Sequence, residues 1–549
     1  MRKIFIFLIF VSSSVFSQTY QINAGGTSIT AGGSSGSPNI VSLSAKGILS
    51  DANLDTGQNS FGTDQTTAIQ AILNTASKSN PLTVIWDVKA SCSGLRVKSY
   101  TTINAMPGSG AILRDNVDNS LLSNYNWTAN SNNILDSNIT INGGIWNGNG
   151  WRAGVQMQAN NTHAKGQITV VNFFGTKNVN LVNCNFLNSS TWCVAFMTSE
   201  NIYINNCVID DGAVGHYNQD GIDFLGYAKK IRVLNNYIRN GDDKIAFGPN
   251  SSGGIATEFP PWGGTITADH SVYTGVDGDQ SDIIIDGNYF EKQGKGFAFY
   301  CAGGNYLYNV TISNTYGYSQ SSWFGIWNGD ALAAYSAVTK GNRWPSSIRL
   351  VNNNIDVYGY VGYGSTGFPM AWVSCSAIDI TFQNCNSNNY NFNVNPYVIS
   401  PSGATSISVK SITFDNCQSI DSVLGNINDQ IYVSGTSTIV GRLSIINSNT
   451  DLINSGNSDR GLLHINSGTV TNLFMSNIRY SAFKTMFKNA GTVTNLVANN
   501  ITETGLNTGG DISFVNTGTI SNAAFSNIIC KQLLSGTIGK VDSATIIHY

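Results

Sequence analysis

Four aspartates crowd the run HYNQDGIDFLGYAKKIRVLNNYIRNGDDKIAF (216–247) of a chain in which only 11% of residues are charged. Asp220 and Asp223 share the short NQDGID segment, and Asp242-Asp243 follow as an adjacent pair, 22 residues after Asp220. Carboxylates held close together cannot all ionise freely, so at least one pKa in such a group rises. Splitting a glycosidic bond uses that imbalance: one carboxylic acid keeps its proton for the leaving oxygen while a carboxylate activates water. In inverting enzymes the two groups stand ~6.5–9.5 Å apart to admit that water. The plainer readings are turn chemistry, which suits Asp beside Gly, and a structural calcium site.

An interval of 22 residues has meaning only if the chain repeats at about that length. It does, irregularly. One phrase recurs, an alternating apolar run followed by Asn and a second short strand, as in NVNLVNCNF (178–186), NIYINNCVI (201–209), KIRVLNNYI (230–238), DITFQNCNS (379–387) and SITFDNCQS (411–419). Cys184 to Cys207 is 23 residues, Cys385 to Cys417 is 32, and Asn477 to Asn500 is 23. Each unit is too small to bury an apolar face by itself, and stacking the units solves that problem. Alternating strands without a helical period between them predict an all-β chain, a right-handed parallel β-helix solenoid in which residues one coil apart lie ~4.8 Å from each other. Asp220 is then expected beside Asp242-Asp243 on the outer surface. The recurring asparagines form a ladder of side chains from coil to coil, and the cysteines at the ends of the apolar runs read as small buried hydrophobes rather than disulfides.

A solenoid needs its open end covered. TDQTTAIQAILNTAS (63–77) supplies a capping α-helix, with Thr63 or Asp64 at its start and Ala68, Ile69, Ile72 and Leu73 as an apolar stripe, before first strands in 82–88 and 95–103. The basic, then apolar, then small-residue N-terminus reads as a signal peptide over 1–17. A leader over 18–60 and one β-helix domain over 61–549 follow, with the working coils at about 178–330. Secretion, extracellular or periplasmic, is the expected destination. No later segment has the ~20 consecutive apolar residues of a membrane span, so no membrane insertion is expected. A net charge of −3 with scattered basic residues excludes nucleic acid as a natural partner.

At the acidic runs the sequence resembles the polygalacturonase-like enzymes, glycoside hydrolase family 28 and its β-helix relatives. NQDGID (218–223) is similar to the family's N-T-D-G run and NGDDKIAF (240–247) to its double-Asp run; the likeness extends over roughly 60 to 330 and includes the cap and NITINGGIWNGNG (138–150). The resemblance implies an inverting hydrolase with Asp242 as proton donor and Asp220 and Asp243 holding and activating the water, without a cofactor or metal.

Two departures bear on the substrate. Where the family carries G-H-G the chain has Gly294-Lys295-Gly296, and the G-x-R-I-K run is matched by WFGIWNG (323–329), with Trp327 at the arginine position and Gly329 at the lysine position. Without those two cations a galacturonate carboxylate loses its bidentate and point-charge contacts. Trp327, Trp323 and Tyr300 offer flat faces for a neutral sugar instead, and Lys295 a contact for a hydroxyl or sulfate. The β-helix relatives include α-1,3-galactosidases of family 110 and dextranases of family 49, so the implied partner is a polysaccharide or oligosaccharide, a neutral or sulfated galactan or a glucan. An insertion over 248–282 rises from the acid-bearing coil, and Trp262 and His270 within it, with His216 before NQDG, are further candidates for lining the substrate site. A polysaccharide lyase and a non-catalytic carbohydrate-binding adhesin or spike remain as alternative classes, and the oligomeric state is not legible.

Overall fold

The computed structural model describes residues 39–549 apart from 56–61, 116, 118, 127–132, 151–168, 190–191, 211–218, 250–277, 292–293, 302–304, 328–343, 358–368, 390–394, 402–405, 422–428, 451–460, 481–484, 504–513, 531–533 and 549. All of these belong to the unit Ser37–Tyr549. The expected signal peptide and the candidates His216, Trp262, His270 and Gly329 lie outside the described residues.

Apolar residues at every second position give strands with one buried edge, and here every such edge faces the inside of a right-handed parallel β-helix. The strand Val171–Val182 pairs in parallel with Val194–Asn205, Val171 opposite Val194, so one coil consumes 23 residues. Ile222–Leu234 divides its pairing: Ile222 lies opposite Ile245 of Asp243–Gly248, whereas Ile231 lies opposite Ile283 of Gln280–Asp286. In sequence, the insertion falls between these two partner strands. Inside, Phe196, Phe224, Phe247 and Phe299 form a file with successive ring centroids 5.6, 5.1 and 5.1 Å apart. Each such pair contributes ~0.5–1.5 kcal/mol beyond its buried area, and the file fixes the floor on which the acidic coils rest.

The asparagine ladder is present. Asn206 donates from Nδ2 to Asn183 Oδ1 at 2.7 Å, Asn384 to Asn352 at 2.9 Å and Asn416 to Asn384 at 2.9 Å. Asn384 and Asn416 both hold φ at 51°, in the left-handed region. That explains the residue type, because Asn enters this conformation more readily than other residues with a β-carbon. Asn384→Ala, losing two ladder bonds and keeping the left-handed backbone, is expected to cost about 2 kcal/mol. Asn384→Gly should cost less; melting midpoints in the order wild type, Gly, Ala test this, and an Ala variant as stable as wild type would refute it. All nine cysteines are free and buried, as expected of core hydrophobes.

The cap is a helix over Thr66–Leu73, in which Ile69 and Leu73 are buried. Asp64 serves its start, its Oδ1 accepting the Thr66 N–H at 2.9 Å. Ala68 is exposed rather than part of the stripe, since Ile69, Leu73 and Ala76 define the inward face. Among the described residues one strand precedes the helix: Asn39–Ser42, within the stretch expected to be a leader, pairs with Leu82–Trp86. With only Val41 buried among its four residues, it lacks the alternation that would have marked it. Among the described residues no helix is long and apolar enough to cross a membrane.

Candidate active site

Consecutive coils bring the three aspartates together. One carboxylate oxygen from each of Asp220, Asp242 and Asp243 lies within 4.8 Å of the others. The stacking interval is 23 residues, not 22, so the neighbour of Asp220 is Asp243: the Asp243 N–H donates to Asp220 Oδ1 at 3.1 Å, and the Gly221 N–H to the Asp243 carbonyl at 2.8 Å. Asn240 ties the turn, donating from Nδ2 to the carbonyls of Gln219 at 2.7 Å and Asp243 at 2.5 Å. The expected placement on the outer surface needs correction. Asp220 and Asp243 are only 4% and 1% exposed; the Asp242 side chain, 29% exposed, is the one that meets water. The backbone of the next coil runs close against that of Asp242, the Lys295 N–H donating to the Asp242 carbonyl at 2.9 Å. Gly294 makes this approach possible, at φ 57°, because a β-carbon there would overlap the Asp242 carbonyl.

Lys295 enters the cluster from that coil, in register with Asp243. Its Nζ stands 2.9 Å from Asp242 Oδ1 and 3.1 Å from Asp243 Oδ1, and Tyr300 donates its hydroxyl to Asp243 Oδ2 at 2.5 Å. Trp327 stacks on Tyr300 with centroids 5.6 Å apart at 30°, and the Lys295 ammonium lies 5.9 Å from the Trp327 ring. The indole lies over Gly325, where any β-carbon would run into it. Lys295, Tyr300 and Trp327 thus form one wall against the acids. Trp323 does not join them. It is 1% exposed and set edge-on to Phe382, with centroids 6.2 Å apart, inside the solenoid. It precedes the strand Phe324–Trp327 at the turn into the sheet, where strand alternation does not yet govern direction, and burial of the indole decides.

Burial, then the carboxylates of Asp223, Asp243 and Asp242, push the Asp220 pKa well above the ordinary aspartate value, against the pull of Lys295. Burial likewise raises Asp243, which Lys295 partly offsets. For Lys295 burial favours the neutral amine, but Asp242 and Asp243 outweigh it and hold the ammonium well above the usual lysine range. Such a cluster titrates as a unit. Its oxygens could ligate a cation, but the ammonium of Lys295 already occupies the point between Asp242 and Asp243 that a cation would take. Asp223 was not assigned to the site from sequence, although it stood three residues from Asp220. It is 1% exposed and faces outward between Ala195 and Ala246 of the flanking coils. A fully buried lysine, Lys244, was also missed; its Nζ donates to the Asn240 carbonyl at 3.2 Å.

Residues 123–288, the stretch that contains both acidic runs, match the family model described as glycosyl hydrolases family 28. The likeness covers that stretch, less than a third of the chain. Among solved structures, the chain is similar to the family 28 exopolygalacturonase of Yersinia enterocolitica, at 14% identity and a TM-score of 0.51 over 79% of this chain and 78% of that one. It is also similar to the catalytic unit of the GH87 α-1,3-glucanase of Streptomyces thermodiastaticus, at 14% identity and a TM-score of 0.50 over 83% and 70%. Identities this low establish the shared β-helix and nothing finer. No curated protein sequence matches the chain. The family match supports a glycoside hydrolase.

Proposed function

We propose that this is a secreted, inverting glycoside hydrolase of a neutral or sulfated galactan or a glucan, with Asp220, Asp242 and Asp243 as its acid and base groups. The observation that carries the reading is the cluster of three carboxylates with an aromatic wall, Tyr300 and Trp327, where the family's uronate-gripping cations are replaced. Asp242, the carboxylate open to water, is the group that reaches the leaving oxygen; Asp220 and Asp243 lie deeper and hold the water. Burial favours the protonated forms of Asp220 and Asp243, so the buried pair keeps a proton more readily than free aspartates do, and whichever of the two has released its proton is the base that activates the water. Lys295 supports hydrolysis over elimination. An amine held charged by two carboxylates is a poor base for abstracting a proton beside a uronate.

The carboxylate gap differs from expectation. Oxygens within 4.8 Å fall short of the ~6.5–9.5 Å of inverting enzymes, so inversion rests here on the family 28 likeness of the two acidic runs. Incubation with pectin, galactans, carrageenans and dextran, with product anomers followed by NMR, tests class and stereochemistry together. Reducing ends of inverted configuration are expected. Retained configuration would recast a carboxylate as nucleophile, and ultraviolet-absorbing unsaturated products would end the hydrolase reading.

Lys295→Met removes the positive charge between Asp242 and Asp243. The acidic limb of the pH–rate profile is expected to move up by about one unit or more, since an opposite charge at this range lowers a carboxyl pKa by ~1–3 units. Lys295→Arg should restore part of the shift. An unmoved limb in Lys295→Met would remove Lys295 from the catalytic electrostatics.

A further inference from the structure

The outward row that passes Asp223 does not stop at the acids. Asp223 lies opposite Ala246, Ala246 opposite Ala298, and Ala298 opposite Gly325, on which Trp327 rests. From Gly325 the row continues through Trp372, Val398, Tyr432, His464 and Lys488, each on the next coil. Trp372 to Lys488 is thus four coil steps, ~19 Å at strand spacing. Near the acids the row is built of small residues, and beyond them it becomes aromatic and then basic.

Its far end is organised. Asp429 is 6% exposed and holds two side chains from successive coils: His464 Nδ1 lies 2.8 Å from its Oδ2, and Lys488 Nζ 3.2 Å from its Oδ1. Its backbone N–H bonds to Asn395 Oδ1 at 2.9 Å. Tyr432 meets the His464 ring edge-on, with centroids 5.3 Å apart at 80°. Trp372 is oriented by a bond from its Nε1 to the Ser400 carbonyl at 3.2 Å. His464 and Lys488 remain partly open, at 23% and 21% side-chain exposure. A buried carboxylate that fixes an imidazole and an ammonium beside a tyrosine offers what a sugar ring needs, a flat apolar face flanked by directional donors.

We propose that Trp372, Tyr432, His464 and Lys488 form a distal glycan-binding station, and that a polymer chain lies along the solenoid axis from the acids to this station. The polymer rests on the hydrolase reading above, but the station itself does not. A chain laid along the row meets the small-residue floor at the acids, stacks on Trp372 and Tyr432, and presents hydroxyl or sulfate oxygens to His464 and Lys488.

Affinity electrophoresis in gels containing dextran, a neutral galactan, carrageenan or polygalacturonate tests this on the full chain. Wild type and Asp242→Asn are expected to be retarded by at least one polymer. Tyr432→Ala and Lys488→Ala, made separately and checked for unchanged melting, should each weaken apparent affinity about tenfold, a typical loss for a contact residue at the centre of a binding site. Retardation lost on desulfating the carrageenan assigns Lys488 to sulfate; retardation that survives assigns it to hydroxyls, and either result supports the station. Variants retarded as strongly as wild type, or a wild type retarded by none of the four, would overturn it. Failure of the hydrolase reading is separate and visible: retardation intact, with no product from any polymer.

Discussion

Asp242→Asn is expected to lower turnover about a thousandfold on whichever glycan the protein hydrolyses, with little change in KM. A positioned general acid contributes ~10²–10⁴-fold, and Asn keeps the shape and the Lys295 contact while losing the proton it must deliver. The ion pair it loses is open to water, the Asp242 side chain being 29% and Lys295 27% exposed, so the stability cost should stay below about 1 kcal/mol. Activity and stability are thereby separated, and a large loss of rate cannot be put down to unfolding. Unchanged turnover would remove Asp242 from the chemistry, and with it the assignment of the proton donor.

Asp220→Asn should make the protein less active and more stable, by an amount that depends on pH. Burial and its neighbours raise the folded-state pKa of Asp220 above the unfolded value, which is ~3.9. Below that unfolded value both states carry the proton, and the contribution to stability is complete. As pH rises toward the folded value the unfolded chain releases its proton first, so stability falls. An amide has no proton to release, yet it can still accept the Asp243 N–H that now bonds to Asp220 Oδ1. The melting midpoint of Asp220→Asn should therefore match wild type near pH 3 and exceed it at pH 7, by on the order of 1–2 kcal/mol in stability, the size of a single stabilising substitution. A variant less stable than wild type at pH 7 would show that the carboxylate is a net structural asset, and the picture of a strained acid cluster would fall.

Both expectations concern groups whose environment was only partly legible. The repeat, the ladder and the inward cysteines could be read directly because each depends on local rules. Alternation sets which side chains face in, and Asn is among the few residue types that tolerate the left-handed turn conformation seen at Asn384 and Asn416. The aspartates could be grouped because Asp220 and Asp243 are a single uninterrupted coil apart. Trp323 and Trp327 were both expected to offer flat faces to the sugar, but Trp323 lies before the strand Phe324–Trp327 and is buried inside the solenoid. Lys295 was placed near the substrate, but its seat between two carboxylates could not be foreseen, since 52 residues separate it from Asp243.

What the sequence by itself determined is therefore the coil: its strands, its turns, the buried file and the presence of an acidic group on neighbouring coils. The tertiary structure decided how far each acid is sunk, which cation meets it, and that Trp372, Tyr432, His464 and Lys488 continue its row. The reason is physical. Direction along a strand follows from covalent geometry within a few residues, whereas burial and pairing across coils depend on register carried past insertions of differing length, and that register exists only once the coils are stacked.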